Sequence, residues 1–203
     1  MVNLRLGVLA SHGGTNLQAI VDACKEGRLD ASVSVVISNN SSSMARERAN
    51  REDIPSYHVS SVTHPVPQDQ DGAILDALEK HGVDLVRLAG YMKLLGPLVL
   101  QRYRNRILNS HPALLPKFGG RRMYGRLVHE AVLAAGDNVT GVTIHLADEV
   151  YDHGPIVAQC QVSVVEGDTV ETLMDRAQKR ERLLWVETLQ SIVRRELDLD
   201  AIG

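Results

Sequence analysis

Two polar side chains, Asn109 and His111, close a short apolar segment within residues 106–120 (RILNSHPALLPKFGG). Side chains two positions apart on a β-strand face the same way, so these two are expected to project together from the strand end. The proline that follows removes a backbone donor and keeps His111 extended. An amide can donate to a developing oxyanion, and an imidazole can transfer a proton. Taken alone, Asn-x-His-Pro fits a buried structural histidine equally well.

A third candidate, Asp152, lies in the acidic loop at residues 148–154 (DEVYDHG). A carboxylate beside an imidazole orients the ring and favours its protonated form, so the pair can serve as a proton donor at neutral pH. Together with Asn109, such a pair suits acyl transfer to a non-acidic nucleophile. The sequence has no Gly-x-Ser-x-Gly elbow and no evident cysteine nucleophile, which favours direct transfer between two bound substrates.

A glycine-containing turn at residues 11–16 (SHGGTN) connects an apolar run at residues 4–10 to a helical pattern that ends at Gly27. The first N–H groups of a helix are unpaired and lie at the positive end of its dipole, so they attract phosphate. The turn lacks the P-loop lysine and the dinucleotide glycine spacing, so a monophosphate fits better than a nucleoside triphosphate or NAD. The alternative is a tight turn with Thr15 or Asn16 as the helix cap.

The elements that position these residues alternate between strand and helix up to His111. Strands are predicted at residues 4–10, 33–38, 56–59, 84–89 and 107–110, and helices at 17–27, 44–51, 72–80 and 98–103. Such alternation predicts a parallel, doubly wound, Rossmann-like sheet, whose ligands bind at the carboxyl ends of the strands. The segment at residues 60–71 is expected to be a surface loop because it carries two prolines.

The organisation changes after His111. A helix is predicted at residues 127–135, followed by strands at 139–147 and 155–165 that we expect to pair antiparallel. A long helical stretch at residues 169–197 has a charged face and is expected to pack across the outside of the sheet. We expect one domain over residues 1–203, divided into halves at residues 1–111 and 112–203.

Composition narrows the class of protein. The 203 residues, 44% of them hydrophobic, suffice for one large core. A net charge of −3 gives no electrostatic footprint for nucleic acid. Two cysteines far apart in sequence argue against a disulfide framework and suit a reducing compartment. No apolar run approaches the length that spans a bilayer, so we expect a cytoplasmic protein that acts on small molecules.

Four segments resemble, in order and spacing, those of the folate-dependent glycinamide ribonucleotide formyltransferases of purine synthesis. They are SHGGTNLQAI (11–20), LAGYMKLL (88–95), NSHPALLPKFGG (109–120) and DEVYDHGPIVAQ (148–159). The resemblance implies the formyltransferase fold, in which an antiparallel extension follows the Rossmann-like sheet. It also implies transfer of the formyl group of 10-formyltetrahydrofolate, a co-substrate, to the amine of glycinamide ribonucleotide, without a metal.

The same resemblance implies roles for individual residues. His111 is the proton donor, Asp152 tunes it, and Asn109 supports the tetrahedral intermediate. The substrate-binding residues it implies, with Glu181 at the ribose or glycinamide end and the others at the phosphate, are Gly13, Gly14, Thr15, Asn16 and Glu181. The folate-binding residues are Leu88, Tyr91, Met92, Lys93, Leu94, Leu95, Asp148, Glu149, Val150 and Tyr151.

Some positions depart from the family pattern. Several relatives carry a basic folate contact between the third strand and the next helix, whereas residues 65–73 contain none. Substitutes for binding the folate's glutamate tail are Lys93, Arg121, Arg122 and Arg126. His129, His145 and His153 receive no catalytic role, and His153 is expected to be exposed. A homodimer is compatible with the sequence, which does not fix the oligomeric state.

Three related classes compete with this interpretation. Methionyl-tRNA formyltransferases share Asn-x-His-Pro and the aspartate but carry a tRNA-binding domain, for which we expect a longer and more basic chain. Formyltetrahydrofolate deformylases share the three polar residues but have an additional N-terminal domain and resemble the first loop less. A binding protein that has lost turnover would not need Asn109, His111 and Asp152 together, which makes it the weakest alternative.

Overall fold

Seven strands form one sheet in the order β3-β2-β1-β4-β5-β6-β7, in a computed structural model that describes residues 3–203. The strands are β1 Leu4–Ala10, β2 Ala31–Ser38, β3 Ser56–His58, β4 Leu85–Leu88, β5 Ile107–His111, β6 Val139–Leu146 and β7 Ile156–Ser163. The first five are parallel to one another, whereas β6 and β7 pair antiparallel. The predicted Rossmann-like sheet with an antiparallel extension is therefore confirmed.

Helices cover both faces of this sheet. They are α1 Thr15–Lys25, α2 Met44–Arg51, α3 Pro67–Lys80, α4 Pro97–Arg102, α5 Arg126–Ala134, α6 Val170–Val193 and α7 Leu199–Ile202. In β4, Leu85 packs with residues of α1 and α6, while its neighbour Val86 packs with residues of α3 and α4. Successive side chains thus enter two different cores, which is why three of the four residues of β4 are apolar.

Helix α3 begins at Pro67, so residues 67–71, expected as part of a loop, are helical. Proline is tolerated in the first helical turn because the backbone N–H that it lacks has no partner there. The earlier start buries Asp71, whose carboxylate accepts hydrogen bonds from the backbone N–H groups of Leu98 (2.8 Å) and Val99 (3.3 Å). This carboxylate caps the amino end of α4, the short helix that precedes β5.

The predicted helical stretch at residues 169–197 ends early. Helix α6 begins with a capping box in which Thr169 and Thr172 exchange hydrogen bonds, and it ends at Val193. The separate helix α7 follows, capped by the carboxylate of Asp198, and it was not predicted. Helix α6 packs on α1, α5, β6 and β7, as expected of a helix that crosses the sheet. Within residues 3–203, no helix combines the length and apolar character needed to cross a bilayer.

Candidate active site

Asn109 and His111 lie at the carboxyl end of β5, and the strand stops at His111 as the following proline predicts. Strand β5 is parallel to β4 on one side and antiparallel to β6 on the other, so the two residues lie where the direction of pairing changes. The His111 side chain is only 4% exposed. The strand therefore presents a buried imidazole at the carboxyl ends of the parallel strands, where ligands of open α/β proteins bind.

Asp152 joins this pair from the loop between β6 and β7. Its Oδ2 atom lies 3.3 Å from Nδ1 of His111 and accepts a 2.9 Å hydrogen bond from the backbone N–H of Gly120. Burial alone would raise the pKa of this carboxyl, but the contacts with His111, His145 and Gly120 outweigh it and hold the pKa well below its usual range. Asp152 is thus an anion beside the imidazole, and the structure brings the three predicted polar residues together.

The backbone of Asp152 has a φ of +56°, in the left-handed region that few non-glycine residues adopt. A strained residue persists only where its surroundings determine it, and such residues cluster at functional sites. Asp152 combines this backbone conformation with carboxylate contacts to His111 and Gly120. These contacts therefore stabilise a backbone conformation that an isolated loop would rarely adopt.

His145 belongs to the same cluster, although no catalytic role was predicted for it. Its Nδ1 faces the carbonyl oxygen of Leu146 at 2.8 Å and therefore carries a proton. The other nitrogen, Nε2, lies 3.1 Å from the Asn109 amide nitrogen and 3.6 Å from Asp152 Oδ1. The antiparallel register places His145 directly opposite Asn109. A histidine within a predicted strand could have suggested a role for His145. Its position opposite Asn109 depends on the pairing of β5 with β6 and could not be predicted from the sequence.

Residues 117–126, for which the sequence predicted no catalytic role, contact the polar cluster of Asn109, His111 and Asp152. The carbonyl oxygen of Phe118 lies 2.7 Å from Nε2 of His111. Both ring nitrogens of His111 therefore face acceptors, an arrangement that a doubly protonated ring satisfies. At the ends of the segment, Lys117 pairs with Asp137, and Arg126 pairs with Glu130 and Glu171. These ion pairs lie outside the cluster.

The turn before α1 has the features of an anion site. Gly14 is the N-cap with a φ of +66°, and a Cβ there would lie 2.8 Å from the Cα of Ala45. Neither Thr15 nor Asn16 caps the helix, because α1 has no side-chain cap hydrogen bond. The buried Oδ1 of Asn16 has no hydrogen-bond partner within residues 3–203. The first N–H groups of α1 thus have no capping side chain, and such groups can bind an anion. Gly13 precedes this turn and is exposed.

Glu181 lies behind β5, on the face opposite Asn109 and His111. Its Oε1 accepts a hydrogen bond of 2.5 Å from the hydroxyl of Ser110, which lies between those two residues in the strand. The carboxylate is half-buried. Glu181 therefore approaches the end of β5 from α6, at the same sheet edge as the other candidates.

The expected folate residues divide into two groups. Tyr91, Lys93, Leu94 and Leu95 line a cavity of about 640 Å³, together with residues from the loops after β2 and β3. Burial raises the pKa of Tyr91 to about 12, so its phenol stays neutral. Met92 is exposed outside the lining, and its backbone N–H donates to the Ser11 hydroxyl at 2.9 Å.

The second group does not line that cavity. Leu88 packs in the core shared with α3 and α4. In the loop before Asp152, the remaining members are Asp148, Glu149, Val150 and Tyr151. Asp148 makes internal contacts, to the backbone N–H of Val150 at 2.8 Å and to the largely exposed His153 at 3.0 Å. Within residues 3–203, no group of three or more His, Cys, Asp or Glu side chains is arranged to hold a metal ion.

Known proteins that are similar to this chain in sequence and fold are named as formyltransferases or as a formyltetrahydrofolate deformylase. The family model described as "Formyl transferase" matches residues 4–189. The chain is 40% identical to phosphoribosylglycinamide formyltransferase of Haemophilus influenzae, over 87% of its own length and 81% of that protein. It is 35% identical to the Bacillus subtilis protein of that name, over 93% of this chain and 94% of that one. A chloroplastic relative from Arabidopsis thaliana is 40% identical, and the chain spans 65% of its length.

Solved structures agree with these matches. Glycinamide ribonucleotide transformylase 1 of Symbiobacterium toebii superposes with a TM-score of 0.87 at 41% identity, over 95% of this chain and 88% of that chain. A formyltetrahydrofolate deformylase of Pseudomonas syringae superposes with a TM-score of 0.82 at 25% identity, over 96% of this chain and 62% of that one. The chain belongs to the formyl transferase family, as the four segments of its sequence indicated.

Proposed function

We propose that this protein transfers the formyl group of 10-formyltetrahydrofolate to the amine of glycinamide ribonucleotide, in the cytoplasm and as a step of purine synthesis. The observation that carries the proposal is the Asp152 carboxylate, 3.3 Å from the His111 ring at the end of β5. His111 with Asp152 forms a proton donor, and the Asn109 side-chain amide lies on the same face of β5. The relatives named phosphoribosylglycinamide formyltransferase support the choice of substrates. A net charge of −3 argues against a nucleic acid partner.

The polar cluster divides the chemistry among its members. The folate supplies an activated formyl group when it is bound. One N–H of Asn109 is directed at Nε2 of His145, which leaves the second N–H for the formyl oxygen as negative charge develops there. The glycinamide amine attacks the formyl carbon, and the bond from that carbon to the folate nitrogen breaks as His111 delivers a proton to the departing nitrogen. The ring regains a proton from the amine that has attacked. We assign this proton to Nδ1, because Nε2 is held by the Phe118 carbonyl at 2.7 Å. Asp152 balances the charge of the protonated ring.

Substrate contacts are proposed at the same sheet edge. The turn Gly13, Gly14, Thr15 and Asn16 binds the phosphate through backbone N–H groups, and Glu181 accepts hydrogen bonds from the ribose or glycinamide end. The cavity of about 640 Å³ has the size of an ordinary small-molecule site and receives the folate. Of the four cations that could hold the folate's glutamate tail, Lys93 lines this cavity, whereas Arg126 is paired with two glutamates. Lys93 is therefore the proposed contact.

One assay with two arms tests this function against hydrolysis. Purified protein is mixed with 10-formyltetrahydrofolate, with and without glycinamide ribonucleotide, and formylated nucleotide and free formate are both measured. We expect tetrahydrofolate to form only when the nucleotide is present, with formylated nucleotide as its stoichiometric partner. Formate release at the same rate in both arms would assign the protein to the deformylases instead.

A further inference from the structure

Arg87 is a fully buried arginine in the centre of the sheet. It lies in β4 among Leu85, Val86 and Leu88, with a relative exposure of 0%. Its guanidinium stacks on the ring of Trp185 in α6, with the Cζ atom 4.0 Å from the ring centroid. None of its three side-chain nitrogens has a hydrogen-bond partner within residues 3–203. The apolar pattern at residues 84–89 predicted only a buried strand.

A buried cation at this position opposes folding, because desolvation of a charge costs several kcal/mol unless it is compensated. Burial lowers the pKa of Arg87 to about 10, against the opposing influence of the Glu181 carboxylate, so the guanidinium stays charged at neutral pH. An apolar residue like its neighbours in β4 would suit the core better. Residues that weaken a fold without local compensation are concentrated at functional sites.

The position of Arg87 connects it to the nucleotide side of β5. Arg87 is in register with Leu108, so Ser110, two residues farther along β5, faces the same way. Ser110 donates to Glu181, and Glu181 lies one helical turn before Trp185 on α6. The guanidinium on Trp185 is fully buried, whereas Glu181 is half-buried, and the negative charge of Glu181 favours the charged form of Arg87.

We infer that Arg87 is a positioning residue that holds the Glu181 carboxylate against Ser110, where it can accept hydrogen bonds from the nucleotide substrate. The inference rests on the proposed function, which assigns Glu181 to that substrate. Arg87 does not touch the nucleotide. Its charge keeps the carboxylate at the end of β5 instead of turned toward bulk water, and Trp185 keeps the guanidinium in place through a cation–π contact. Burial of Arg87 therefore destabilises the fold but keeps the Glu181 carboxylate in a fixed position.

The variant Arg87→Met separates this role from a structural one. It removes the charge but keeps a long apolar side chain, so we expect an equal or higher Tm, since replacing a poorly compensated buried charge is often neutral or stabilising. The Kd for glycinamide ribonucleotide, measured by calorimetry, should rise about tenfold, as for the loss of a charge-assisted hydrogen bond. KM for the nucleotide should rise in parallel, while kcat and KM for the folate stay within about twofold.

Two further variants make the result decisive. Arg87→Lys keeps a cation at the site and should restore part of the nucleotide affinity, whereas Arg28→Met, which removes an exposed arginine paired with Glu26, should change nothing. The inference is wrong if wild-type protein binds the nucleotide and Arg87→Met binds it equally well. It is also wrong if that variant lowers Tm and weakens both substrates alike. Wild-type protein that binds no nucleotide would overturn the proposed function itself, and this inference with it.

Discussion

The two faces of β5 differ in how their polar groups are satisfied. On one face, Asn109 and His111 both have protein partners within 3.3 Å. On the other face, Ser110 contacts Glu181, but the cation behind them, Arg87, has no hydrogen-bond partner within residues 3–203. One strand thus presents two polar side chains with protein partners on one side and, on the other, a pair whose neighbouring cation has no hydrogen-bond partner in the described part of the chain.

This difference corresponds to two tasks. Groups that stabilise a transition state act best when they are already oriented, because no reorganisation is needed during the reaction. A charged group that binds a substrate, such as Glu181, need only be kept in position. A cation that does not touch the substrate, such as Arg87, can do this. Substitutions on the Asn109 and His111 face should therefore lower kcat, whereas those on the Ser110 face should raise KM for the nucleotide.

The strongest test of this division is His111→Ala. Loss of the proton donor should reduce kcat by about 10²–10⁴-fold, with little change in the Kd of the nucleotide. The matched control is His153→Ala, because the His153 side chain is 73% exposed and contacts Asp148 instead of Asp152. Steady-state rates of both variants provide the measurement. A His111→Ala enzyme within a few-fold of wild type would remove the catalytic role from this face.

Asp152→Asn should have the next largest effect, a loss of about 10²-fold in kcat, because a neutral amide no longer balances the protonated ring and a misplaced group commonly costs that much. The nucleotide should bind as before. Single-turnover rates, which exclude product release, decide between a chemical and a binding defect.

The same variant carries a prediction for stability. The pKa of Asp152 is lowered in the folded protein, so its contribution to folding is fully present above the unfolded value of about 3.9 and is lost as pH falls below that value. The difference in free energy of unfolding between wild type and Asp152→Asn should shrink when denaturant titrations are moved from about pH 6 to about pH 3. A difference that is constant with pH would show that the carboxylate is not held as a stabilised anion.

Much of the fold was predictable because local patterns decide it. All seven strands were predicted, most of them from apolar runs, and α2 was predicted with its observed bounds. The start of α3 was missed because two prolines favoured a loop at residues 60–71, although proline is tolerated in the first turn of a helix. Helix α7 was missed since a turn of a few residues interrupts a continuous helical pattern after Val193.

The site was predictable to the extent that its residues are local to one strand or covered by the family resemblance. Asn109 and His111 follow from spacing. Asp152 was a candidate from its acidic loop, and the resemblance implied that it lies beside His111. His145 and the Phe118 carbonyl were missed because strand pairing and loop closure depend on the whole fold. Arg87 could have been noticed as a single charge in an apolar central strand, but its stacking on Trp185 requires the position of α6.

A binding element remote from β5 tests whether affinity and turnover separate. Gly14→Ala introduces a Cβ 2.8 Å from the Cα of Ala45 at a φ of +66°, so it should destabilise the protein by about 1–3 kcal/mol and shift the turn that binds phosphate. Affinity for the nucleotide should fall about tenfold with kcat nearly unchanged. Gly72→Ala is the matched control, because Gly72 lies in α3 outside the phosphate turn and a Cβ there would meet no atom of residues 3–203 within 4 Å. Thermal unfolding and calorimetry of the pair supply both readouts.

The smallest effect is expected for Ser110→Ala, which removes the 2.5 Å hydrogen bond to Glu181 but leaves Arg87 in place. Because one hydrogen bond contributes about 0.5–1.5 kcal/mol, KM for the nucleotide should rise only a few-fold, and kcat should stay unchanged although Ser110 lies between Asn109 and His111. Ser32→Ala, on β2 at the amino end of the sheet, controls for loss of a strand hydroxyl. A fall in kcat comparable to that of Asp152→Asn would mean that the two faces of β5 are coupled. A selective rise in KM would mean that the alternation of side chains along one strand is enough to keep binding and chemistry apart.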